Sequence, residues 1–459
     1  MASSTNVAYS TNVSTKTTVS SFMKGIDWMT VLKWLGIFLL VGIVIACIYV
    51  AVTQNKLIAT PQNVANKVAT QKAAVDLNLA PFYTSHSTAH LDKNEDCLIN
   101  YSPLTVQQAG FLGPKINGVY GEKDAITMAL KTGARAFVLC IDYFSNDTML
   151  DVALFGKPNE PILLSRDEGD VIRCNNAGDI GKVAQALSEL AFGNLVNNPN
   201  DPLIVILHFV NTPSPKSEDY LPFLSKVAEK LQPLVPYHLG LTSDGDYRRQ
   251  NKKDDIFYQP ISSFEKKVLF FANVDTSGFR LPKSPYATTS DLDYLVHVTM
   301  YKQSTNVIGS TLTASGNGIP RVVVDTVDFF SSIPEDKQTD TMNKTKLSWT
   351  MAIEGALENP SFITLRYLEE TLGVQSVPLF ICNEEKFTIP PKTTTTASPA
   401  PTEAVSSTEN QLGYLLSYWS KVSYLPKPKP IRFIKPDNFV PAAPAPQLQA
   451  LGGVVQSPS

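Results

Sequence analysis

Short apolar segments that alternate with amphipathic helices run through the middle of this sequence, and they constrain its fold more than any other feature. The segments are nearly continuous in apolar character, which is typical of parallel strands covered by helices on both faces. The predicted strands are residues 98–100, 135–144, 161–165, 203–210, 267–275, 294–301, 321–325 and 374–382. About eight strands in a stretch of this length predict an α/β fold, a closed (β/α)8 TIM-like barrel. A doubly wound sheet is the alternative, but no GxGxxG or GxxxxGK[ST] motif follows any strand.

Two of the helices between these strands have clear end signals. Gly133 closes the helix that begins near Glu122, and Asp179 is placed to cap the helix that follows it. Helices of this kind between apolar strands support the barrel.

A second apolar feature lies near the amino terminus. The run from Trp34 to Val52 is apolar, and no charge occurs between Lys33 and Lys56. As a helix it covers a hydrocarbon core of about 30 Å at about 1.5 Å per residue. It has no polar face, unlike a core helix, and it starts too far into the chain for a signal peptide. We therefore predict a transmembrane helix within 28–54 and a single-pass membrane protein that contacts the lipid bilayer through 34–52. Lysines are balanced around the run, so the orientation stays open.

Composition divides the rest of the chain. Residues 1–27 are Ser/Thr-rich and expected to be disordered, 55–90 form a polar stalk of helical character, and 91–388 form the barrel domain. A Thr/Pro/Ser-rich linker, 389–410, leads to a Pro-rich tail, 411–459, which is expected to be disordered and extended. An aromatic island in that tail favours docking to a protein partner through 411–446. The alternative is that the tail packs on its own domain.

Charge and cysteine content exclude several classes of function. Charged residues are 18% of the chain and the net charge is −3, so nucleic acid is not an expected partner. The five cysteines have no CxxC spacing, which disfavours zinc ribbons and redox pairs. We interpret Cys97, Cys140, Cys174 and Cys382 as reduced thiols, although two disulfides remain an alternative in an oxidising compartment.

Four segments carry a resemblance to a known family. They are EKDAITMALKTGARAFVLCIDYF, NNPNDPLIVILHF, QPISSFEKKVLFFANVD and ENPSFITLRYLEETLGVQSVPLFIC. In this order they resemble the X-domain of phosphoinositide phospholipases C, a PLC-like phosphodiesterase barrel, and most of all the divergent members encoded by large DNA viruses. The likeness spans most of residues 97–383.

The resemblance implies a phosphodiesterase site built from two histidines and a Ca²⁺ ion held by acids, or an arginine in its place. At the matching places this chain has Ser102 and Pro103 instead of the first histidine, and Val138 and Cys140 instead of the acids. The second histidine position falls near Ser165. The inherited catalytic groups are therefore absent, and we expect no cofactor, with Ca²⁺ bound only if an active site survives.

A relocated site at the strand ends is the alternative to a lost one. Its candidate residues are Asp142, Arg166, Asp167, His208 and Asp275. Other histidines have simpler interpretations. His86 and His90 are spaced for a metal on a helix but are expected to lie in a surface loop, and His238 and His297 are expected to be structural.

Three hypotheses of function follow. The first is a catalytically degenerate, membrane-anchored barrel that serves as a structural or interaction component. The viral resemblance implies for it a place at the internal membrane of a virion and a capsid protein as partner. The second is an active phosphodiesterase or phospholipase, and the third is a lipid-headgroup-binding module.

Overall fold

Two compact units, Met1–Ile58 and Ala59–Ser459, make up the chain in the computed structural model. The structure describes residues 27–57, 61–83, 91–143, 155–166, 171–194, 196, 198–240, 256–280, 285–302, 312–313, 322–354, 358–383, 411–419 and 422–436. The predictions made for residues 1–26, for the linker 389–410 and for residues 437–459 lie outside the described residues.

The described part of the first unit is one long helix, α1, Trp28–Leu57. Asp27 caps it, because its carboxylate accepts hydrogen bonds from the Met29 backbone N–H (3.1 Å) and the Thr30 hydroxyl (2.5 Å). The stretch Met29–Ile48 has a mean hydropathy of 2.6, and none of it is buried. By length and composition this helix is able to cross a membrane.

Thirteen short strands are described in the second unit. They are β1 Tyr101–Pro103, β2 Thr105–Val106, β3 Phe111–Leu112, β4 Val119–Tyr120, β5 Ala136–Asp142, β6 Ile162–Leu163, β7 Leu203–Phe209, β8 Val268–Ala272, β9 Val298–Lys302, β10 Leu312–Thr313, β11 Val322–Thr326, β12 Trp349–Ile353 and β13 Tyr424–Pro426. Seven of these strands form a parallel sheet in the order β12-β11-β9-β8-β7-β5-β2.

The segment that contains Ser376 and Leu379 has irregular backbone, and it closes this sheet into a barrel. Leu379 donates a backbone hydrogen bond to the Thr105 carbonyl (2.9 Å) and accepts one from the Gln107 N–H (2.8 Å), on the β2 side. On the β12 side, the Ser376 carbonyl accepts from the Ala352 N–H at 2.9 Å. The segment is therefore the eighth member of the wall, and the predicted (β/α)8 barrel is confirmed.

Helices and turns connect the strands. The remaining helices are α2 Pro61–Leu79, α3 Glu122–Lys131, α4 Ile180–Leu190, α5 Tyr220–Lys230, α6 Leu292–Leu295, α7 Val327–Ser331, α8 Glu335–Thr345, α9 Phe362–Arg366, a π-helix Tyr367–Leu372, and α10 Gln411–Tyr418. The two predicted end signals are confirmed. Asp179 accepts a hydrogen bond from the Gly181 N–H (2.7 Å) at the start of α4, and Gly133 follows α3 with φ +93°.

Alternation along the strands separates two apolar layers. In β5, Val138 and Cys140 belong to the cluster inside the barrel, together with Ile206 of the neighbouring strand. Phe137 and Leu139 belong instead to the layer between the sheet and the helices. Successive side chains point to opposite faces of a strand, so the inner row of β5 ends at Asp142.

The structure corrects some of the strand predictions. Leu98–Asn100 is a 3₁₀ turn and not a strand, and the first barrel strand is β2. The segment predicted at 161–165 contributes only β6, which pairs antiparallel with the end of β5 and is not part of the barrel wall. The prediction missed β2, because two residues give no periodicity, and it also missed β12.

Helix α2 occupies the region predicted to be a stalk. Its side chains Val75 and Leu79 are fully buried, and Lys72 forms an ion pair with Asp124 at 2.7 Å. A Cβ on Gly113 would meet the Gln71 side chain at 2.7 Å, so glycine permits this close approach. The helical character is as predicted, and the helix packs on the barrel unit.

The part of the tail within 411–436, hereafter the strap, is folded at 411–419 and 422–436, which corrects the prediction of a disordered tail. Helix α10 is followed by β13, which pairs antiparallel with β1. Trp419 and Tyr424 are buried, 1% and 0% exposed. The extended backbone expected from the prolines is present in β13, which a 3₁₀ turn at Lys429–Ile431 follows, but it finds its partner on the same domain. Binding of a separate protein through 411–446 stays a prediction.

Candidate functional site at the carboxyl ends of the barrel strands

The carboxyl ends of the parallel strands form the barrel mouth, where catalytic groups of such barrels are placed. Val138 and Cys140, at the two positions where the resemblance expects acids, lie in the apolar interior below it. Burial raises the pKa of the Cys140 thiol to about 12, and the pKa of Cys174 to about 11. Neither thiol is a ready nucleophile at neutral pH.

Asp142 is the acid that this strand brings to the mouth. It is fully buried, and its Oδ2 accepts a hydrogen bond from Arg166 Nε at 2.5 Å. Its Oδ1 accepts from the Tyr143 backbone N–H (2.6 Å) and from Asn211 Nδ2 (3.1 Å). The carboxylate is therefore neutralised by one cation and held by two further donors, which leaves it poorly suited to act as a base.

His208 lies in β7 near its carboxyl end and Asp275 follows β8, and their described hydrogen bonds are with other groups than Asp142 and Arg166. His208 is 4% exposed, and its Nδ1 lies 3.4 Å from Asn273 Nδ2. Asp275 accepts a hydrogen bond from the Ser277 N–H at 2.9 Å, while its backbone carbonyl accepts from the Tyr220 hydroxyl. The structure thus brings Asp142 and Arg166 into contact. Asp167, the fifth candidate, lies outside the described residues.

The sequence analysis missed one polar residue at the mouth, Gln107. Because β2 is the first barrel strand, the residue that follows it is Gln107, and not Ser102 or Pro103 as predicted. The Gln107 Oε1 atom is buried and accepts no hydrogen bond, and the same is true of the Ser165 hydroxyl next to Arg166. Recognition of β2 would have pointed to Gln107, and the absence of histidine at this place is unchanged.

Among the described residues, the mouth has the compensated Asp142 carboxylate and the Arg166 guanidinium, and Asp275 after β8 and Lys302 at the end of β9 are further charged groups there. Within the part of the chain that the structure describes, no three His, Cys, Asp or Glu side chains are grouped to hold a metal ion. An arrangement of this kind can bind an anion through Arg166, whose side chain is 14% exposed.

The histidines outside the mouth include one stacked pair. The rings of His238 and His297 are 4.3 Å apart between centroids. His297 Nδ1 accepts a hydrogen bond from the Phe270 N–H (2.9 Å), and its Nε2 lies 3.1 Å from the Leu239 carbonyl and so carries the proton. The structural role predicted for His297 is confirmed. His86 and His90 lie outside the described residues.

This pair predicts a loss of stability in acid. Burial, and then the neighbouring His238, hold the pKa of His297 well below its usual 6.5. The unfolded chain binds this proton near pH 6.5 and the folded chain does not, so stability is present above that pH and falls below it. We expect a slope of up to about 1.4 kcal/mol per pH unit from this group. Urea unfolding between pH 7.5 and 5.5 tests it: His297→Gln should flatten the slope, and an unchanged slope would contradict the assignment.

With the fold and the mouth defined, the chain belongs to the class of (β/α)8 barrel proteins. No protein-family model and no curated protein sequence matches it. Among solved structures it is similar to L. pealei PLC21, with 14% identity, 75% of this chain and 39% of that chain covered, and a TM-score of 0.47. This chain thus spans less than half of the L. pealei protein.

Bacterial enzymes are among the similar structures too. The calcium-dependent phosphoinositol-specific phospholipase C of Pseudomonas sp has 10% identity over 65% of this chain and 96% of that chain, with a TM-score of 0.37. The Ca²⁺-dependent phosphatidylinositol-specific phospholipase C of Streptomyces antibioticus has 11% identity over 62% and 94%, with a TM-score of 0.34.

Proposed function

We propose that this chain is a membrane-anchored PLC-like barrel protein whose mouth is catalytically degenerate, and that it acts as a structural or interaction component. The observation that supports this best is the Asp142–Arg166 ion pair, because it occupies the Asp142 carboxylate, which lies nearest to the acid positions of the resemblance, with a cation of the same chain. The apolar Val138 and the buried Cys140 thiol in the same strand agree with it. Helix α1 supplies the anchor in this proposal.

The proposal extends to location. The resemblance of the sequence to barrels of large DNA viruses supports a place at the internal membrane of a virion, where the chain would join the bilayer to a capsid protein. The lipid bilayer is the partner of residues 34–52, and the capsid or another protein is the partner of 411–446.

Hydrolysis assays test the proposal that the barrel mouth is catalytically degenerate. We expect the full chain, reconstituted in vesicles, to leave phosphatidylinositol and bis(p-nitrophenyl) phosphate intact, with or without Ca²⁺. Loss of one general acid or base costs about 10²–10⁴-fold, and both are missing here. Flotation of the full chain, compared with a chain that begins at Ala59, shows in the same experiment whether α1 holds it on the vesicles.

A positive assay has its own controls. Turnover that is lost in Asp142→Ala or His208→Ala, and kept in the exposed-residue control Asp219→Asn, would overturn the proposal and establish an active phosphodiesterase with a relocated site. Turnover that neither variant affects would indicate a contaminating enzyme, and it would leave the expected inert result in place for this chain.

A second candidate function is headgroup binding without turnover. The buried, unpartnered Gln107 Oε1 and Ser165 hydroxyl, beside the partly exposed Arg166, favour it. Inert protein beginning at Ala59 that sediments with phosphoinositide vesicles, but not with phosphatidylcholine vesicles, and loses this binding in Arg166→Gln, would support it.

A further inference from the structure

The strap docks on the barrel as a bound peptide would. Strand β1 pairs with β13 in a two-stranded sheet that is separate from the barrel sheet, with Ser102 opposite Leu425. The Leu104 N–H donates to the Ser423 carbonyl (3.1 Å) and the Lys427 N–H donates to the Asn100 carbonyl (2.8 Å), which extends the pairing at both ends. Addition of a strand to an exposed strand in this way is a common mode of peptide recognition.

The side chain of Asn100 makes a second set of hydrogen bonds with the backbone of the strap. Its side chain Oδ1 accepts from the Phe433 N–H (2.7 Å), and its Nδ2 donates to the Phe433 carbonyl (2.7 Å). The side-chain amide therefore substitutes for a strand partner. Next to it, Arg432 forms an ion pair with Glu95 at 2.6 Å.

Three side chains anchor the strap in the barrel. Trp419 Nε1 donates to the Ser102 carbonyl (3.2 Å), the Tyr424 hydroxyl donates to the Pro202 carbonyl (3.0 Å), and Lys427 Nζ donates to the Thr345 carbonyl (2.9 Å). Each acceptor is a main-chain carbonyl of residues 102–345. These contacts select an extended strap with aromatic anchors, and none of them depends on the covalent connection between the two.

That connection is long. Residues 384–410, which is 27 residues, separate the last described barrel segment from α10. A chain of this length spans up to about 90–100 Å at about 3.3–3.6 Å per residue, far more than the width of a small domain. The same groove can therefore accept the strap of its own chain or that of a neighbour, and exchange of identical elements between copies keeps every native contact.

We propose that the strap exchanges between two copies of this chain, so that the strap of each copy fills the β1 groove of the other. The groove is then an interface for a second copy, and the dimer it makes is isologous. Crowding of copies raises the share of exchanged straps, because the neighbour's strap competes with the local concentration that the linker gives to the chain's own strap.

Engineered disulfides test the exchange directly. Paired positions of antiparallel strands have the Cα separation that a disulfide needs, about 4.4–6.8 Å. Two full-length variants are made, both with Cys47→Ser. One also carries Ser102→Cys and the other Leu425→Cys, and their tags differ in size. The two are co-expressed and mildly oxidised. A disulfide between the two single variants forms only when the strap of one copy lies in the groove of the other. We expect this heterodimer on a non-reducing gel.

Two control variants distinguish the possible outcomes of this experiment. Ser102→Cys combined with Lys337→Cys, an exposed position on α8, gives the background of random crosslinking. Heterodimer well above that background supports the exchange. The double variant Ser102→Cys/Leu425→Cys reports docking within one chain. Complete internal crosslinking there, with heterodimer at background, would overturn the proposal, and so would the absence of both crosslinks.

Discussion

A chain that ends at Asn410 will not fold to a stable, monodisperse protein, whereas a chain that ends at Pro436 will. The truncation removes the apolar side chains with which the strap covers the barrel, which are Leu412, Leu415, Leu416, Trp419, Tyr424 and Ile431. Burial of one such side chain contributes about 1.5–3 kcal/mol, so their joint loss is comparable with the whole stability of a domain, about 5–15 kcal/mol. It also leaves β1 without its partner strand.

Thermal melts and size-exclusion chromatography in detergent measure this effect on the two truncated chains. Trp419→Ala gives a graded version, for which we expect a loss of about 3–5 kcal/mol in the free energy of unfolding. A chain ending at 410 with the melting temperature of the longer chain would show that the strap is not part of the fold.

Lys427→Met alone will destabilise the protein more than Lys427→Met combined with Glu369→Gln, because these two buried side chains influence each other electrostatically. Glu369, on the π-helix, is 2% exposed and its two oxygens accept no hydrogen bond. Burial, and then the neighbouring Glu370, raise the pKa of Glu369 well above its usual value, while Lys427 opposes that shift. Burial lowers the pKa of Lys427, and Glu369 opposes that. Burial thus favours the uncharged form of both groups, and each group weakens that effect on the other.

Charge-removing variants test this pair. Removal of one of two coupled buried groups leaves the other without its electrostatic partner, while replacement of both is often close to neutral. We expect a lower free energy of unfolding in Lys427→Met and recovery of part of that loss in Glu369→Gln/Lys427→Met, measured by urea unfolding. The Thr345 carbonyl still accepts from Gln375 Nε2 at 2.8 Å in these variants, so it is not left unpaired.

Glu370→Gln is the matched control. That carboxylate pairs with Arg366 and is about one third exposed, so its change should stay within about 1 kcal/mol. Additive effects of the two single changes would contradict the coupling.

The sequence predicts the barrel because its longest strands, such as β5 and β7, are apolar on both faces, which is a property that a single sequence displays. It could not show where the barrel begins, because β2 has two residues and its role depends on hydrogen bonds to Leu379, far along the chain. The same error placed the first site position at Ser102 instead of Gln107.

The part of the candidate site that depends only on where a residue stands along a strand was predictable. Asp142 and Arg166 were named because each lies at the end of an apolar strand, and the structure pairs them. That they neutralise each other depends on the antiparallel pairing of β6 with the end of β5, which no periodicity encodes. The strap was misjudged for a similar reason. Proline content predicts extended backbone, but the groove that receives it includes Asn100, 333 residues from Phe433.

The pairing of β1 with β13 also has a consequence for biosynthesis. A ribosome releases the apolar α1 first and Tyr424 last among these elements, so the nascent chain must hold Tyr101 and its neighbours uncovered until Tyr424 has been synthesised. Contacts of such sequence separation form slowly. Translation that stalls within the Thr- and Pro-rich stretch before Gln411 will therefore leave a chain that cannot complete its fold, which is a substrate for chaperones and proteases.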